Sequence, residues 1–335
     1  MSQPFENLPT TPRSSELIDK AFSRASRAGR AKQGFEAQSS MLQTAANILS
    51  DNLENVVTEW PDFDDLDPFY RDLSDAVIAG ETAIGSEDDR GVDALRQHLS
   101  EVTWASRKTA DIRGEYHTKL RNASDVDHAR KLRKQAFARL ADVVEQVAES
   151  LLAIAAAREA LRDLPDIRPD EPTVVVAGYP NVGKSSFVNA VTRASNEINS
   201  YPFTTTEINV GHFDDDHVRY QLVDTPGLLD RPPQERNEIE SQAVSALEHL
   251  ADAVLVLVDA SGECGYPIDV QIELRDALAE QFADVPVLTV CNKSDRSRDV
   301  EADHYMSVTE DENVETVLDA VVAAVDHEPE LPFEE

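Results

Sequence analysis

The stretch Gly178-Tyr179-Pro180-Asn181-Val182-Gly183-Lys184-Ser185 decides how the second half of the chain folds. It follows the apolar run Thr173–Ala177 and precedes Ser186–Val191, which has the composition of a helix start. A strand, then a loop with Gly, four residues and Gly-Lys-Ser, and then a helix form the P-loop pattern. A chance match in an ordinary loop is the alternative, and the flanking strand and helix argue against it.

Each residue type in this loop has a physical role. The glycines let successive backbone N–H groups turn toward phosphate oxygens, and the start of the helix adds unpaired N–H groups and a positive dipole end. Lys184 is expected to reach the β- and γ-phosphates, and the Ser185 hydroxyl is expected to bind Mg²⁺. The loop therefore predicts a nucleotide-phosphate site.

Length and composition limit the class of protein. The 335 residues are enough for two or more domains, and no apolar run is long enough to span a membrane. The first ten residues are polar and contain Pro4 and Pro9, which does not fit a secretory signal. Cys264 and Cys291 lack metal-ligand spacing, and they are expected to be ordinary buried residues in a reducing compartment. We expect a cytoplasmic monomer with no membrane association.

The formal net charge of −33 has two interpretations. An acidic surface repels nucleic acid, which argues against RNA or DNA as a partner. Alternatively, the whole surface is adapted to concentrated salt, where charges are screened over a few ångströms. The acids are spread along the chain and only 8 of the 31 basic residues are lysine, which favours salt adaptation.

The hydrophobic spacing predicts an N-terminal α-helical bundle followed by an α/β P-loop domain with a mostly parallel six-stranded sheet and helices on both faces. Ser14-Ser15-Glu16 is expected to cap a short helix in the first segment, whose polar remainder orders on a partner. The predicted divisions are a basic segment 1–33, the bundle 34–165, a stiff proline-rich linker 166–172, the P-loop domain 173–325 and an acidic tail 326–335.

One stretch of the predicted bundle departs from the general acidity. Residues 104–140 contain ten basic residues, including Arg130, Lys131, Arg133 and Lys134, against four acidic ones. A solvated helix face with ion pairs between successive turns explains the pattern structurally. A phosphate-contacting face for RNA explains it functionally, and charge alone does not choose between the two.

Two further segments fit the phosphate end of a GTPase site. Thr205, with Thr204 as the alternative, stands about where a mobile switch binds Mg²⁺ and senses the γ-phosphate. A hairpin of residues 208–213 and 218–223, turning at Asp214–Asp216, leads into Asp224-Thr225-Pro226-Gly227. Asp224 is expected to hold a Mg²⁺-bound water, and Gly227 to offer its N–H to the γ-phosphate and to serve as a hinge.

The segment Asn292-Lys293-Ser294-Asp295 follows a second buried apolar run and predicts guanine recognition. Asp295 can accept hydrogen bonds from the N1–H and the 2-amino group of guanine, and adenine lacks both donors. Asn292 is expected to tie this loop to the phosphate loop, and the stem of Lys293 to cover the base. Ser307 or Val308 is expected to offer an N–H to the guanine oxygen.

Together these assignments give a candidate site for GTP or GDP with Mg²⁺. The predicted nucleotide-binding residues are Gly178, Tyr179, Pro180, Asn181, Val182, Gly183, Lys184, Ser185, Ser186, Asp224, Thr225, Pro226, Gly227, Leu228, Asn292, Lys293, Ser294, Asp295, Ser307 and Val308. The predicted catalytic residues are Lys184, Thr205 and Gly227, and the predicted metal ligands are Ser185, Thr205 and Asp224.

These motifs also carry a family likeness. The loop 178–186, the segment 201–205 and the segment Asp224-Thr-Pro-Gly-Leu-Leu-Asp230 resemble the Obg-related translation-factor GTPases, and within them the nucleolar GTP-binding protein (Nog) family. Residues 63–73, 161–165 and 236–240 are similar to that family as well. The resemblance implies a short, prokaryotic-type form without the long C-terminal extension. It implies a role in large ribosomal subunit assembly and binding to large-subunit rRNA or a pre-ribosomal particle.

Two consequences concern hydrolysis. Leu228 stands where Ras-like enzymes carry a glutamine that orients the attacking water, so slow intrinsic hydrolysis is expected. Asn181 stands where similar GTPases hold K⁺, although a purely structural role in the loop explains it equally well. Two alternatives to a ribosomal GTPase remain: a nucleotide-gated protein-interaction module without RNA contact, and an ATP-dependent enzyme, which Asp295 disfavours.

Overall fold

The computed structural model describes residues 4–80, 84, 91–162, 164, 167–192, 197–200, 207–225, 228–231 and 235–327. Within them the elements, in chain order, are α1 (Ser14–Arg30), α2 (Gly34–Thr58), α3 (Pro68–Gly80), α4 (Gly91–Arg121), α5 (Val126–Gln146), α6 (Ala148–Arg162), β1 (Thr173–Ala177), α7 (Lys184–Val191), β2 (Glu197–Ser200), β3 (Glu207–Asp215), β4 (Val218–Asp224), α8 (Glu238–Leu250), β5 (Ala253–Asp259), α9 (Ile268–Gln281), β6 (Val287–Asn292), β7 (His304–Tyr305) and α10 (Val314–Val325). None of the described helices is long and apolar enough to cross a lipid bilayer.

The chain forms two compact units. The helical unit contains Pro4–Asp62 and Glu81–Arg162, and the sheet unit contains Phe63–Gly80 and Asp163–Glu335. The chain therefore leaves the helical unit after residue 62, returns at residue 81 and leaves it again after residue 162. These boundaries differ from the predicted divisions at residues 34, 165 and 173.

The helical unit is built from amphipathic helices around an aliphatic core. Helix α2 buries the predicted three-and-four spaced stripe, of which Leu42, Leu49 and Leu53 are at most 1% exposed. Asp125 begins α5 by accepting a hydrogen bond from the His128 amide at 2.7 Å. The predicted helical bundle is confirmed in this unit.

Residues 4–33 belong to the helical unit rather than forming a separate segment. Phe5 and Leu8 are buried, and the Leu8 carbonyl accepts a hydrogen bond from Arg158 Nε at 3.0 Å. Helix α1 packs on α2, and the Phe22 ring stacks on the Phe137 ring at 4.4 Å. Although α1 is rich in basic residues, one face of the helix carries a narrow apolar stripe. The buried residues of this stripe are Leu17, Ala21 and Ala25.

Helix α3 was predicted within the bundle, but it belongs to the sheet unit. It packs on α8, and Asp72 lies within 3.3 Å of His249 Nε2 and accepts a hydrogen bond from Ser245 Oγ at 3.4 Å. The sequence predicts that the prolines at 61 and 68 separate two bundle helices. In the structure they flank the point where the chain changes unit.

The predicted linker 166–172 is bound to the sheet along its described part. The Gln221 side chain in β4 accepts from the Arg168 amide at 2.9 Å and donates to the Arg168 carbonyl at 2.7 Å and to Thr173 Oγ1 at 2.9 Å. Tyr70 of α3 donates its hydroxyl to the Ile167 carbonyl. The connector is therefore part of the sheet unit and not a free spacer.

The sheet has the order β2-β3-β4-β1-β5-β6-β7. Pairings from β4 through β7 are parallel, and those of β2 with β3 and β3 with β4 are antiparallel. The predicted α/β class is confirmed; among the described residues the sheet holds seven strands rather than six, because the two-residue β7 extends one edge. The predicted β3–β4 hairpin is also confirmed, and it turns at Asp216 and His217.

Strands β1 and β5 are buried along their whole length, and β4 is buried at all positions but one. Parallel strands buried on both faces are expected to read as continuous apolar runs, as these do. Their carboxyl ends meet at one edge of the sheet. That edge carries the polar residues singled out in the sequence.

Candidate nucleotide-binding site

The phosphate loop joins the end of β1 to the start of α7. Gly178 has φ +130°, and a Cβ there would lie 2.4 Å from the Leu257 carbonyl oxygen. Gly183 has φ +109°, and a Cβ there would lie 2.1 Å from Asn292 Nδ2. Any other residue at either position would be strained and would collide with neighbouring atoms. The two glycines are therefore needed for the shape of the loop itself.

Lys184 lies inside this loop. Its Nζ donates to the carbonyl oxygens of Gly178 at 2.7 Å and Tyr179 at 3.1 Å, and the residue is only 6% exposed. Burial lowers the pKa of Lys184, and the nearby carboxylates of Asp224 and Asp230 act in the opposite direction. The ammonium is thus held at the first turn of α7, where a phosphate would meet both the lysine and the helix N-terminus.

Ser185 and Asp224 are in direct contact. Ser185 Oγ donates to Asp224 Oδ2 at 2.5 Å, and Asp224 is fully buried at the end of β4. A serine hydroxyl and a carboxylate side by side are hard oxygen ligands that suit Mg²⁺. Mg²⁺ in nucleotide sites uses one or two protein oxygens together with substrate phosphates. Accordingly, the described residues contain no cluster of three or more acidic, His or Cys side chains that could hold a metal ion alone.

The loop after β6 is tied to the phosphate loop. Asn292 Nδ2 donates to the Val182 carbonyl oxygen at 2.8 Å, and Asn292 Oδ1 accepts from the Val308 amide at 3.3 Å. The Asn292 residue is 3% exposed. One side chain therefore connects the predicted phosphate loop, the predicted guanine loop and the segment after β7.

Asp295 follows Asn292 by three residues. Its Oδ2 lies 3.0 Å from Arg296 Nε, and its side chain is 22% exposed. The neighbouring Ser294 is buried, and its amide donates to the Met306 carbonyl at 3.0 Å, which fixes the loop against the strand edge. The Asp295 carboxylate is consequently held at the surface of this loop, paired with an arginine whose side chain is 61% exposed.

The two candidates for an amide donor to a guanine oxygen are not equivalent. The Ser307 amide already donates to the Glu312 carbonyl at 3.0 Å, so the expectation for Ser307 does not match the structure. The Val308 amide makes only the long 3.3 Å bond to Asn292 Oδ1. Val308 is the better placed of the two. The sequence alone does not indicate which of Ser307 and Val308 donates its amide.

Several predicted residues lie outside the described part of the chain: Thr204, Thr205, Pro226 and Gly227. The residues that follow Gly227 are described. Leu228 is 2% exposed with its amide 3.2 Å from the Thr225 carbonyl, and the Leu229 carbonyl accepts from the Gly178 amide at 3.1 Å. This segment is therefore attached to the start of the phosphate loop. Ser186 is exposed in the first turn of α7.

Sequence reasoning missed one group of residues at this edge. Asp259, at the end of β5, is fully buried and lies 2.7 Å from Lys293 Nζ. The Tyr266 ring, in the loop that follows, lies 4.4 Å from the Tyr179 ring of the phosphate loop. The signal was available in principle, because Asp259 ends an apolar strand just as Asp224 does. The sequence does not show, however, that the Asp259 carboxylate pairs with Lys293, 34 residues further along the chain.

Comparison with protein families agrees with this geometry. Residues 5–168 match the model described as the NOG1 N-terminal helical domain, and residues 173–293 match that of a 50S ribosome-binding GTPase. The two matches together cover most of the chain.

Individual relatives show the same pattern. The chain is 37% identical to the MJ1408 protein of Methanocaldococcus jannaschii over 88% of this chain and 81% of that one. It is 33% identical to nucleolar GTP-binding protein 1 of Arabidopsis thaliana over 87% of this chain, but it spans only 43% of that protein.

A crystal structure of a Plasmodium falciparum protein assigned as nucleolar GTP-binding protein 1 is similar over 48% of this chain and 90% of that one, with 32% identity and a TM-score of 0.44. The Arabidopsis case is typical of the eukaryotic relatives, of which the chain spans less than half the length.

Proposed function

The chain belongs to the nucleolar GTP-binding protein 1 (NOG1) family, and from that premise we propose that it is a GTPase that acts as a switch in assembly of the large ribosomal subunit. The observation that carries the proposal is the tie between the two predicted nucleotide loops. Asn292 of the Asn-Lys-Ser-Asp segment donates to the Val182 carbonyl of the P-loop at 2.8 Å. This hydrogen bond supports a single site for phosphate and base recognition.

Guanine selection is assigned to Asp295. An ionised carboxylate accepts from the N1–H and 2-amino groups of guanine, and with adenine it would face no donors. Arg296 Nε lies 3.0 Å from Asp295 Oδ2, and because each carboxylate oxygen has two lone pairs, both oxygens can still accept a hydrogen bond from guanine. The Val308 amide is assigned to the guanine oxygen, since that bond would replace its long contact with Asn292 Oδ1.

Phosphate binding is assigned to the P-loop amides, to the N-terminus of α7 and to Lys184. Ser185 and Asp224 would hold Mg²⁺ together with Thr205, and the ion supplies charge neutralisation at the β- and γ-phosphates. Lys184 keeps its ammonium directed by two carbonyls of the loop, at 2.7 and 3.1 Å, so little reorganisation accompanies binding. Gly227 is assigned the N–H that senses the γ-phosphate.

Slow intrinsic hydrolysis follows from Leu228. Its side chain is 2% exposed and apolar, so it offers no group to orient the attacking water. Stimulation by K⁺ is proposed through Asn181, which is exposed and has a left-handed backbone, φ +63°. An exposed amide oxygen beside the phosphate loop suits a weakly hydrated cation. Turnover measured in KCl and in NaCl at matched ionic strength tests this, and equal rates would remove K⁺ from the account.

The helical unit is assigned the contact with rRNA or the pre-ribosomal particle. Part of its basic stretch is neutralised, since Glu115 pairs with both Lys119 and Arg139, at 2.6 and 2.7 Å. Arg133 is also engaged, because its Nε donates to Gln38 at 2.9 Å and its guanidinium lies over the Phe137 ring.

Lys131 and Lys134 on α5 are different. Both are exposed, and neither has an acidic partner within the described part of the chain. Unneutralised lysines on one helix gain most from phosphate contact, because binding releases counterions from the nucleic acid. These two lysines are therefore candidates for RNA contact within the basic stretch.

Sedimentation of the full chain with large ribosomal subunits, in the presence of GTP, GDP or a non-hydrolysable analogue, tests the switch. Cosedimentation with the analogue and release with GDP are expected. The double variant Lys131→Gln/Lys134→Gln is expected to bind about tenfold more weakly and to show a shallower salt dependence.

The matched control is Lys32→Gln/Lys119→Gln, which removes the same charge from lysines that pair with Glu36 and Glu115. Equal binding by both variants and the unsubstituted chain would favour a nucleotide-gated protein-interaction module without RNA contact.

A further inference from the structure

The Asp259 carboxylate, at the carboxyl edge of the described sheet, accepts four hydrogen bonds. It is fully buried and accepts from the Ser261 amide at 2.9 Å, Ser261 Oγ at 2.5 Å, the Cys264 amide at 2.8 Å and Lys293 Nζ at 2.7 Å. Burial acts to raise the pKa of Asp259, but the Lys293 and Ser261 hydrogen bonds outweigh it and hold the pKa below the usual value. The group is therefore a buried, ionised anchor.

The anchor itself is fixed from behind by Gln271 of α9. Gln271 Oε1 accepts from the Asp259 amide at 2.7 Å, and its Nε2 donates to the Asp259 carbonyl at 3.1 Å and to the Tyr266 carbonyl at 2.8 Å. Gln271 is 2% exposed. The backbone of Asp259 and the loop that closes over it are thus held independently of Lys293.

Of the paired residues Asp259 and Lys293, Lys293 has the side chain with the greater conformational freedom. It lies in the Asn292–Asp295 loop with a left-handed backbone, φ +54°, and its side chain is 22% exposed. A lysine free in solvent has many rotamers, and ordering it on ligand binding costs more entropy than ordering almost any other side chain. With its Nζ fixed on Asp259, the aliphatic stem of Lys293 is ordered before a nucleotide arrives.

We propose that Asp259 is a positioning residue for the guanine nucleotide, acting through Lys293. The hydrogen bond from Lys293 Nζ to Asp259 keeps the aliphatic stem of Lys293 extended. The stem then offers the purine an apolar surface next to the Asp295 carboxylate. This proposal rests on the assignment of the Asn292–Asp295 loop to guanine. Asp259 itself touches neither base nor phosphate.

The test is equilibrium binding of fluorescent GDP and GTP to the full chain carrying Asp259→Asn. The substitution keeps the size of the side chain and removes its charge. Both dissociation constants are expected to rise by about tenfold, because binding must now order Lys293. The turnover number at saturating GTP is expected to stay unchanged, since the effect is confined to the base end of the site.

A double-mutant cycle separates positioning from a general loss of structure. Lys293→Met alone is expected to weaken GDP binding, and adding Asp259→Asn to it is expected to cause no further loss. Additive losses, or unchanged GDP binding by the folded Asp259→Asn chain, would overturn the proposal.

The matched control is Asp303→Asn. This carboxylate accepts a hydrogen bond from a backbone amide, that of Thr289 at 2.7 Å, but it does not contact Lys293. Asp303→Asn is expected to leave GDP binding unchanged. If it lowers GDP affinity as much as Asp259→Asn does, the effect comes from removing any negative charge in this region, and the proposal is overturned.

If Asp259→Asn does not fold, Ser261→Ala takes its place. It removes one hydroxyl donor to the carboxylate, and about a threefold rise in the GDP dissociation constant is expected. No rise there would equally overturn the proposal. Failure of the proposed function is recognised separately, because the unsubstituted chain would then bind no guanine nucleotide at all.

Discussion

The sheet unit and the helical unit use their charges in opposite ways. In the sheet unit Lys184, Asp224 and Asp259 are at most 6% exposed, and each has a partner fixed to within 3.1 Å. In the helical unit the core is aliphatic, and cations such as Lys131 and Lys134 lie on the surface of a helix. Buried charges in a fixed geometry select one ligand, whereas exposed charges act additively and are screened by salt.

The difference has a consequence for substitutions. One atom changed at the carboxyl edge of the sheet alters the chemistry that the site can perform. In the helical unit, we expect each surface charge to be individually dispensable, because the packed aliphatic core stabilises the unit. Substitutions in the two units test this difference.

Lys184→Ala is expected to abolish nucleotide binding, with a loss of about a thousandfold or more, because a directed ammonium at a phosphate is replaced by a cavity. Titration calorimetry with GDP measures it. The sheet unit should keep its melting transition, since the Lys184 ammonium donates its hydrogen bonds to carbonyls of its own loop. GDP binding close to that of the unsubstituted chain would show that this edge of the sheet is not the site.

Leu49→Ala is the corresponding change in the helical unit. Leu49 is fully buried in α2, so the loss of its side chain is expected to lower the free energy of unfolding by about 2–5 kcal/mol. Nucleotide affinity should not change. Chemical denaturation followed by circular dichroism, together with GDP binding, checks both parts. Leu152→Ala, at a site 52% exposed, is the control and should have little effect.

Asp295→Asn is expected to weaken GDP binding by about ten- to a hundredfold, because the amide cannot accept both guanine hydrogen bonds. Binding of a xanthine nucleotide should improve, since the new NH₂ group can donate to the carbonyl at position 2 of xanthine. Competition between the two nucleotides measures the change. Unaltered preference would place guanine recognition elsewhere.

The pH dependence of stability is expected to be comparable in size to the effect of Asp295→Asn. The pKa of Asp259 is lowered in the folded chain, so its charge stabilises the fold above the ordinary aspartate pKa of about 4 and this stabilisation is lost as pH falls through the folded value. The stability difference between the unsubstituted chain and Asp259→Asn, about 1.5–3 kcal/mol for hydrogen bonds to a charged group, should therefore narrow below about pH 4. If the stability difference between the two chains stays constant with pH, ionisation of Asp259 does not contribute to the stability of the fold.

Much of the sheet unit could be predicted because its elements are local. The phosphate loop, the β3–β4 hairpin and the Asp224 strand end each show within a few residues, and apolar runs mark the buried strands. What escaped prediction depends on distant contacts. The hydrogen bonds of Gln221 to the connector and of Lys293 to Asp259 join residues 53 and 34 positions apart, and no local pattern records them.

The helical unit was predictable only as a class. Periodicity identified its helices, but periodicity does not say which helix packs on which. Helix α3 has the same kind of apolar stripe as α2, yet it packs on α8 in the sheet unit. Charge was similarly misleading in α1, where Leu17, Ala21 and Ala25 are buried beneath a basic surface.

The central claim is that the carboxyl edge of this sheet binds guanine nucleotides selectively. Competition of GDP and ADP for a fluorescent GDP analogue bound to the full chain tests it most directly. We predict displacement by GDP at concentrations at least about a hundredfold lower than by ADP, because adenine lacks both of the donors that the Asp295 carboxylate would accept from guanine. Equal displacement by the two nucleotides would contradict the account.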